Sequence, residues 1–162
     1  MRIAVVTGNP KPASRTHGVA LAVAETLGEP SVVVDLAEHA SRLFDWADAE
    51  LSALTASVAA ADVVVVASPT YKAAYTGMLK AFLDRYGSNG LAGVVAVPVM
   101  TGGWAGHSLA VEVHLRPVLV ELGAVVPSRG LYVTEPELAT LDAAVAKWAG
   151  TAVPQIRSAT QR

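Results

Sequence analysis

Three stretches of the chain are apolar at every position: Ile3 to Val6, Val63 to Ala67 and Val94 to Val99. Such runs, rich in valine and without polar alternation, predict strands buried on both faces. Between and after them the apolar period changes. Val19, Ala20, Val23, Ala24 and Leu27 share one face of a helix, as do Met78, Leu79, Phe82 and Leu83. A second strand is expected over Ser31 to Leu36. A fifth is expected over Ala124 to Pro127 and Gly130 to Val133, interrupted near Ser128-Arg129. Further helices are expected over Glu50 to Ala60, Leu109 to Gly123 and Glu137 to Ala149. Pro117 lies inside the Leu109 helix and removes one hydrogen bond, so a kink or π-type bulge is expected there. Strands alternating with helices predict an α/β fold with a parallel sheet. Residues 1–150 read as a single domain, and Thr151 to Arg162, which lack a strong pattern, as a loose tail.

Composition narrows the function classes. The chain has 162 residues, enough for one substantial core. Hydrophobic residues make up 52% and charged residues 16%, yet no apolar run reaches the length of a membrane span. The surplus is Ala and Val, as a sheet covered on both faces requires. A net charge of −2 argues against nucleic acid as a partner. The absence of cysteine excludes disulfides, thiol catalysis and thiolate metal sites. Asp35, Glu38, Asp45, Asp48, Glu50 and Asp62 read as a solvated acidic surface with no metal bound, and His39 as a surface residue. Leu43, Phe44 and Trp46 read as a partly buried loop. Met1-Arg2-Ile3 runs into the first strand without a signal-peptide pattern, so the cytoplasm is the expected location.

The candidate chemistry sits where strands end. After the first strand comes Thr7-Gly8-Asn9-Pro10-Lys11-Pro12-Ala13-Ser14-Arg15-Thr16. A strand, a small-polar loop and a helix place free N–H groups and a positive helix end around an anion. Ser14 and Thr16 add hydroxyls, and Arg15 a fork suited to phosphate. The loop lacks both G-x-x-x-x-G-K-[ST] and G-x-G-x-x-G, so one terminal phosphate is expected, not a pyrophosphate. Ser14 or Thr16 can also cap the helix, and the two roles are compatible. After the third strand comes Ser68-Pro69-Thr70-Tyr71-Lys72-Ala73-Ala74-Tyr75, stiffened by Pro69. After the fourth comes Met100-Thr101-Gly102-Gly103-Trp104-Ala105-Gly106-His107, whose paired glycines let backbone approach a ligand. In an open α/β sheet, ligands bind beyond the carboxyl ends of the strands. One loop for phosphate and two framing a flat ring predict a mononucleotide with a planar head. Lys11 reads as solvated rather than bound, and for Lys72 a solvated loop lysine is the favoured reading over a charge at the site's edge. His107 reads equally as a structural residue or a ligand contact, and His114 as a surface or interface residue.

The string Pro69-Thr70-Tyr71-Lys72-Ala73-Ala74-Tyr75, with Thr76-Gly77, Leu79-Lys80 and Leu83-Asp84, resembles the NADPH-dependent FMN reductase family, in particular its alkanesulfonate-system branch. Gly8, Ser14, Arg15 and Thr16 fit that family's phosphate loop, with Asn9 where Ser is usual. Thr101, Gly102, Gly103 and His107 fit its second flavin loop. The Leu115-Arg116-Pro117-Val118-Leu119 string also fits, although Val113 and His114 stand where some relatives carry Tyr. The resemblance spans Ile3 to about Val133. It implies a flavodoxin-like three-layer sandwich with a five-stranded parallel sheet of order 2-1-3-4-5. It implies that Gly8, Asn9, Ser14, Arg15, Thr16, Pro69, Thr70, Tyr71, Lys72, Ala73, Thr101, Gly102, Gly103 and His107 contact FMN. The implied reaction is hydride transfer from NADPH, or NADH, to FMN, with no protein acid or base nominated. The implied partners are a monooxygenase that receives reduced flavin and further copies of the chain in a homodimer or homotetramer. A tightly bound flavoprotein reducing quinones or azo compounds is the main alternative. An electron-carrying flavodoxin and a non-enzymatic nucleotide-binding module are more distant ones.

Overall fold

The structure is a computed structural model that describes residues 1–161. Five strands form one parallel sheet: β1 (Ile3–Thr7), β2 (Val32–Asp35), β3 (Val63–Pro69), β4 (Val95–Gly102) and β5 (Leu131–Thr134). Their spatial order is β2-β1-β3-β4-β5. The fold is therefore the flavodoxin-like α/β sandwich with the expected strand order. The all-apolar strands become the centre of the sheet because each face is covered. Ile3, Val5, Val63, Val65, Val97 and Val99 point into one core, with α1 (Arg15–Glu25) and α5 (Leu141–Thr160) packed over it. Ala4, Val6, Val64, Val66, Ala96 and Met100 point into the other, under α2 (Ala49–Ala59), α3 (Gly77–Leu83) and α4 (Arg116–Glu121). The period-two alternation of a strand is present, but both of its faces are apolar because neither meets water.

The Pro117 expectation holds. Val111–Leu115 form a π-turn that leads directly into α4, with Pro117 in the first turn of the new helix. The hydrogen bond that the proline cannot make falls where the π-turn passes into the new helix. The fifth strand is interrupted as expected. Val125 makes only a single isolated bridge, to Val95 of β4, and the true strand begins at Leu131. Arg116 fills the gap, donating to Val126 O at 2.8 Å and Ser128 O at 2.5 Å.

Several expectations need correction. Thr151 to Thr160 are not a loose tail; they continue α5, and Ala152 and Ile156 are buried against the sheet. Burial of those two side chains outweighs the helix-breaking tendency of Gly150 and Pro154. Arg162 lies outside the described residues. Of Leu43, Phe44 and Trp46 in the β2–α2 connection, only Leu43 is buried; Phe44 and Trp46 are exposed. Trp46 is held beneath the Arg85 guanidinium. His39 is not a free surface residue: it is half-buried against Arg42 and Glu50. Asp35, grouped with the solvated acids, is buried at the end of β2.

Candidate active site

The sheet register decides which loops meet. Thr7 at the end of β1 lies between Asp35 of β2 and Ala67 of β3. Pro69 of β3 pairs with Thr101 of β4, and Gly102 pairs with Thr134 of β5. The loops that leave β1, β3 and β4, with the end of β5, therefore surround one space. It is a pocket of about 360 Å³ lined by Asn9, Lys11, Ala13, Ser14, Arg15, Thr16, Pro69, Thr70, Tyr71, Thr101, Gly102, Gly103, Val133, Glu135 and Leu138.

The β1–α1 loop is built to present donors. Ser14 caps α1: its Oγ accepts the His17 N–H at 3.2 Å, so its own hydroxyl hydrogen is free to point elsewhere. The N–H groups of Arg15 and Thr16, in the first turn, have no helical carbonyl to reach. Asn9 closes the loop on itself, accepting the Lys11 N–H at 3.0 Å and donating to Thr16 Oγ1 at 3.2 Å. Asp35 holds the far side. One of its oxygens accepts the Ala13 N–H at 2.9 Å and the other accepts the Ala37 N–H at 3.2 Å. Ala13 needs that restraint because its φ of 47° lies in the left-handed region that a non-glycine residue avoids.

The β3–α3 loop is stiffened at both ends. The Thr70 N–H donates to Thr101 O at 2.7 Å. Tyr71 and Ala74 exchange backbone hydrogen bonds, and Lys72 and Ala73 between them have φ of 51° and 66°. Two positive φ values in succession make a type I′ turn. The Thr76 hydroxyl donates to Gly8 O at 2.6 Å and accepts the Leu79 N–H at 3.1 Å. It thus ties the first loop to the start of α3. The Thr16 and Thr101 hydroxyls, 2.7 Å apart, join the first loop to the third.

Most of the residues expected at the site come together here; four do not line the wall. Gly8 is buried, its N–H bonded to Ala67 O. A Cβ there would lie 2.4 Å from Leu79 Cβ, so this glycine serves close packing of α3. Lys72 and Ala73 form the tip of the type I′ turn, beyond the wall. The His107 ring stands edge-on to Trp104, with centroids 4.9 Å apart, and caps the loop from outside. Ala13, Val133, Glu135 and Leu138 also line the wall, with Tyr132 behind it, and no sequence motif points to them; Lys11, expected to be solvated, lines it too. The Tyr132 hydroxyl donates to Trp104 O at 3.2 Å and packs on Gly102. Of the two glycines, Gly102 is closed off by Tyr132, whereas a Cβ on Gly103 would meet nothing nearer than Glu135 Oε2 at 3.8 Å. Gly103 is thus open towards the pocket. Arg15 Nη1 lies 2.5 Å from Glu135 Oε1 in an exposed ion pair across the rim. Among the described residues no cluster of His, Asp or Glu could hold a metal ion. No described helix is long and apolar enough to cross a membrane.

A flavodoxin-like sheet with hydroxyls, N–H groups and a guanidinium at its switch point is a mononucleotide-binding fold of the flavoprotein class. Comparison with known proteins narrows this. The NADPH-dependent FMN reductase family model matches residues 1–137, and the chain belongs to that family. It is 34% identical over 142 residues to the NADH-dependent FMN reductase SfnF of Pseudomonas putida, covering 82% of this chain and 76% of that one. It is 34% identical over 144 residues to the FMN reductase (NADPH) of Escherichia coli K12, covering 85% of this chain and 75% of that one. Among solved structures, an oxidoreductase from Corynebacterium diphtheriae superposes with a TM-score of 0.82 at 30% identity, covering 98% of both chains. The protein is accordingly an oxidoreductase of the flavin reductase type, with FMN and a reduced nicotinamide nucleotide as its reactants.

Proposed function

We propose that this chain takes hydride from NADPH or NADH, passes it to an exchangeable FMN, and supplies the reduced flavin to a partner flavin-dependent monooxygenase. The observation that carries the reading is the pairing of two kinds of wall in one pocket. Ser14, Arg15, Thr16 and the α1 N-terminus offer the donors a terminal phosphate needs. Pro69, Thr70, Tyr71, Thr101, Gly102 and Gly103 offer backbone and flat surface for a ring. The donor set fits FMN: hydroxyls and N–H groups for the phosphate, and an unobstructed Gly103 where the ring edge approaches. When bound, FMN supplies the hydride-accepting chemistry, and the protein supplies position and electrostatics. Asn9 and Asp35 keep the phosphate loop in shape. Tyr71, exposed at the rim, and Thr70 border the face on which a nicotinamide would stack.

The monooxygenase role is supported by similarity to relatives named as FMN reductases, SfnF among them. Those names include both NADH-dependent and NADPH enzymes, so either donor is compatible. Self-association into a homodimer or homotetramer is supported by Leu109, Val113 and Val120, which leave an apolar stripe exposed along the π-turn and α4. We place the protein in the cytoplasm and take the described residues as one FMN-binding domain in which α5 is integral.

The test is aerobic oxidation of NADPH and NADH by flavin-stripped protein titrated with FMN. The expected result is a rate that saturates with free FMN, with little flavin retained on gel filtration. A yellow protein whose rate ignores added FMN but rises with quinone would replace this reading with that of a bound-flavin reductase.

A further inference from the structure

We propose that Glu135 keeps FMN exchangeable by competing with the flavin phosphate for Arg15. The inference rests on the phosphate reading of the Ser14-Arg15-Thr16 loop. Glu135 follows β5 directly, and its N–H donates to Gly102 O at 2.9 Å, so its backbone is pinned beside the third loop. From there its side chain reaches across the rim to Arg15, on the first loop, at 2.5 Å. Its second oxygen lies over Gly103. The carboxylate thus bridges the two walls between which the nucleotide must enter.

Two charge effects follow. Without flavin, Glu135 neutralises the only arginine in the pocket wall among the described residues. When a phosphate arrives, Arg15 must change partner, and a displaced carboxylate remains beside a dianion. Both effects act on the phosphate, so they lower affinity for a phosphorylated flavin far more than for an unphosphorylated one. The exchange is feasible because the pair is solvent-exposed, with side-chain exposures of 70% for Arg15 and 54% for Glu135. Exposed pairs of this kind are held weakly. A residue that weakens its own ligand's site is out of place in a protein that retains a prosthetic group. It suits one that must let reduced FMN leave.

The experiment is fluorescence titration of flavin-stripped wild type, Glu135→Gln, Arg15→Gln and the double variant with FMN and with riboflavin. Glu135→Gln is expected to tighten FMN about fivefold and leave riboflavin within about twofold. Arg15→Gln is expected to weaken FMN about tenfold or more. On the Arg15→Gln background, Glu135→Gln should recover less than it does in the wild type, because the contest for the guanidinium is gone. The Glu135→Gln protein should also carry more flavin through gel filtration. FMN affinity unchanged or weaker in Glu135→Gln, with wild type still preferring FMN over riboflavin, would overturn the role of Glu135 alone. A wild type and an Arg15→Gln variant that both bind the two flavins equally would overturn the phosphate site itself, and Glu135 with it.

Discussion

Gly102 and Gly103 are adjacent in sequence and identical in side chain, yet their surroundings assign them different work. Gly102 gives room to Tyr132, whose hydroxyl would lie 2.0 Å from an added Cβ. Gly103 gives room to whatever enters the pocket. Gly103→Ala is therefore expected to melt within about 0.5 kcal/mol of wild type, the range of substitutions that disturb no packing. It should nonetheless raise the KM for FMN about tenfold, because a methyl group would stand in the open pocket beside the proposed ring position. Thermal unfolding and steady-state kinetics on one preparation check both halves. Gly8 gives the opposite outcome. A Cβ there meets Leu79 Cβ and backbone at 2.4 and 2.9 Å. Gly8→Ala should therefore cost about 1–3 kcal/mol of stability, typical of overpacking, whatever ligand is present.

At the scale of elements, the instructive piece is the π-turn that enters α4. Glu112 and Arg116 pair across its junction at 2.6 Å, and Glu112 also accepts the Gly130 N–H at 2.7 Å. Together they clamp the π-turn to the broken fifth strand. Partial burial pushes the Glu112 carboxyl upward, but hydrogen bonds from Arg116 and Gly130 and the nearby positive charges outweigh it and hold the group below the usual glutamate range. A carboxyl whose pKa is lower folded than unfolded binds fewer protons in the native state. Its contribution is complete above the usual glutamate range and is lost as pH falls through the depressed folded value. Glu112→Gln should destabilise the protein by about 1–2 kcal/mol at neutral pH and flatten the acid side of the stability curve. Urea titrations between pH 3 and 7, run on both proteins, give the slopes; parallel curves would show that Glu112 is not linked to folding.

Across the whole molecule, the site exists only because the sheet brings distant residues together. Thr16 and Thr101, 85 positions apart in sequence, have hydroxyls 2.7 Å apart. That separation explains why the individual loops were legible while their closing residues were not. Glu135 and Tyr132 carry no motif, and nothing near them in sequence points at Arg15 or Gly102. Asp35 reads as one more surface acid until β2 is placed beside β1. The end of α5 makes the same point for the core. Ile156 is fully buried against the sheet that begins at Ile3. Ile156→Ala should cost about 2–5 kcal/mol, as large-to-small changes in a core do, and lower Tm in calorimetry; a tail residue would cost nothing.

The chain's local chemistry thus determined which segments are strands, where a helix bulges, and which loops line the pocket. These follow from neighbours within a few residues: β-branched runs, a proline inside an apolar period, hydroxyls before a helix. Tertiary structure decided the rest. It set Lys72 and His107 outside the wall, turned a patternless end into a core helix, buried Asp35 beneath the β1–α1 loop, and laid Glu135 on Arg15. Those outcomes depend on strand register and burial, which sum contacts across the whole chain and leave no trace in any one stretch of it.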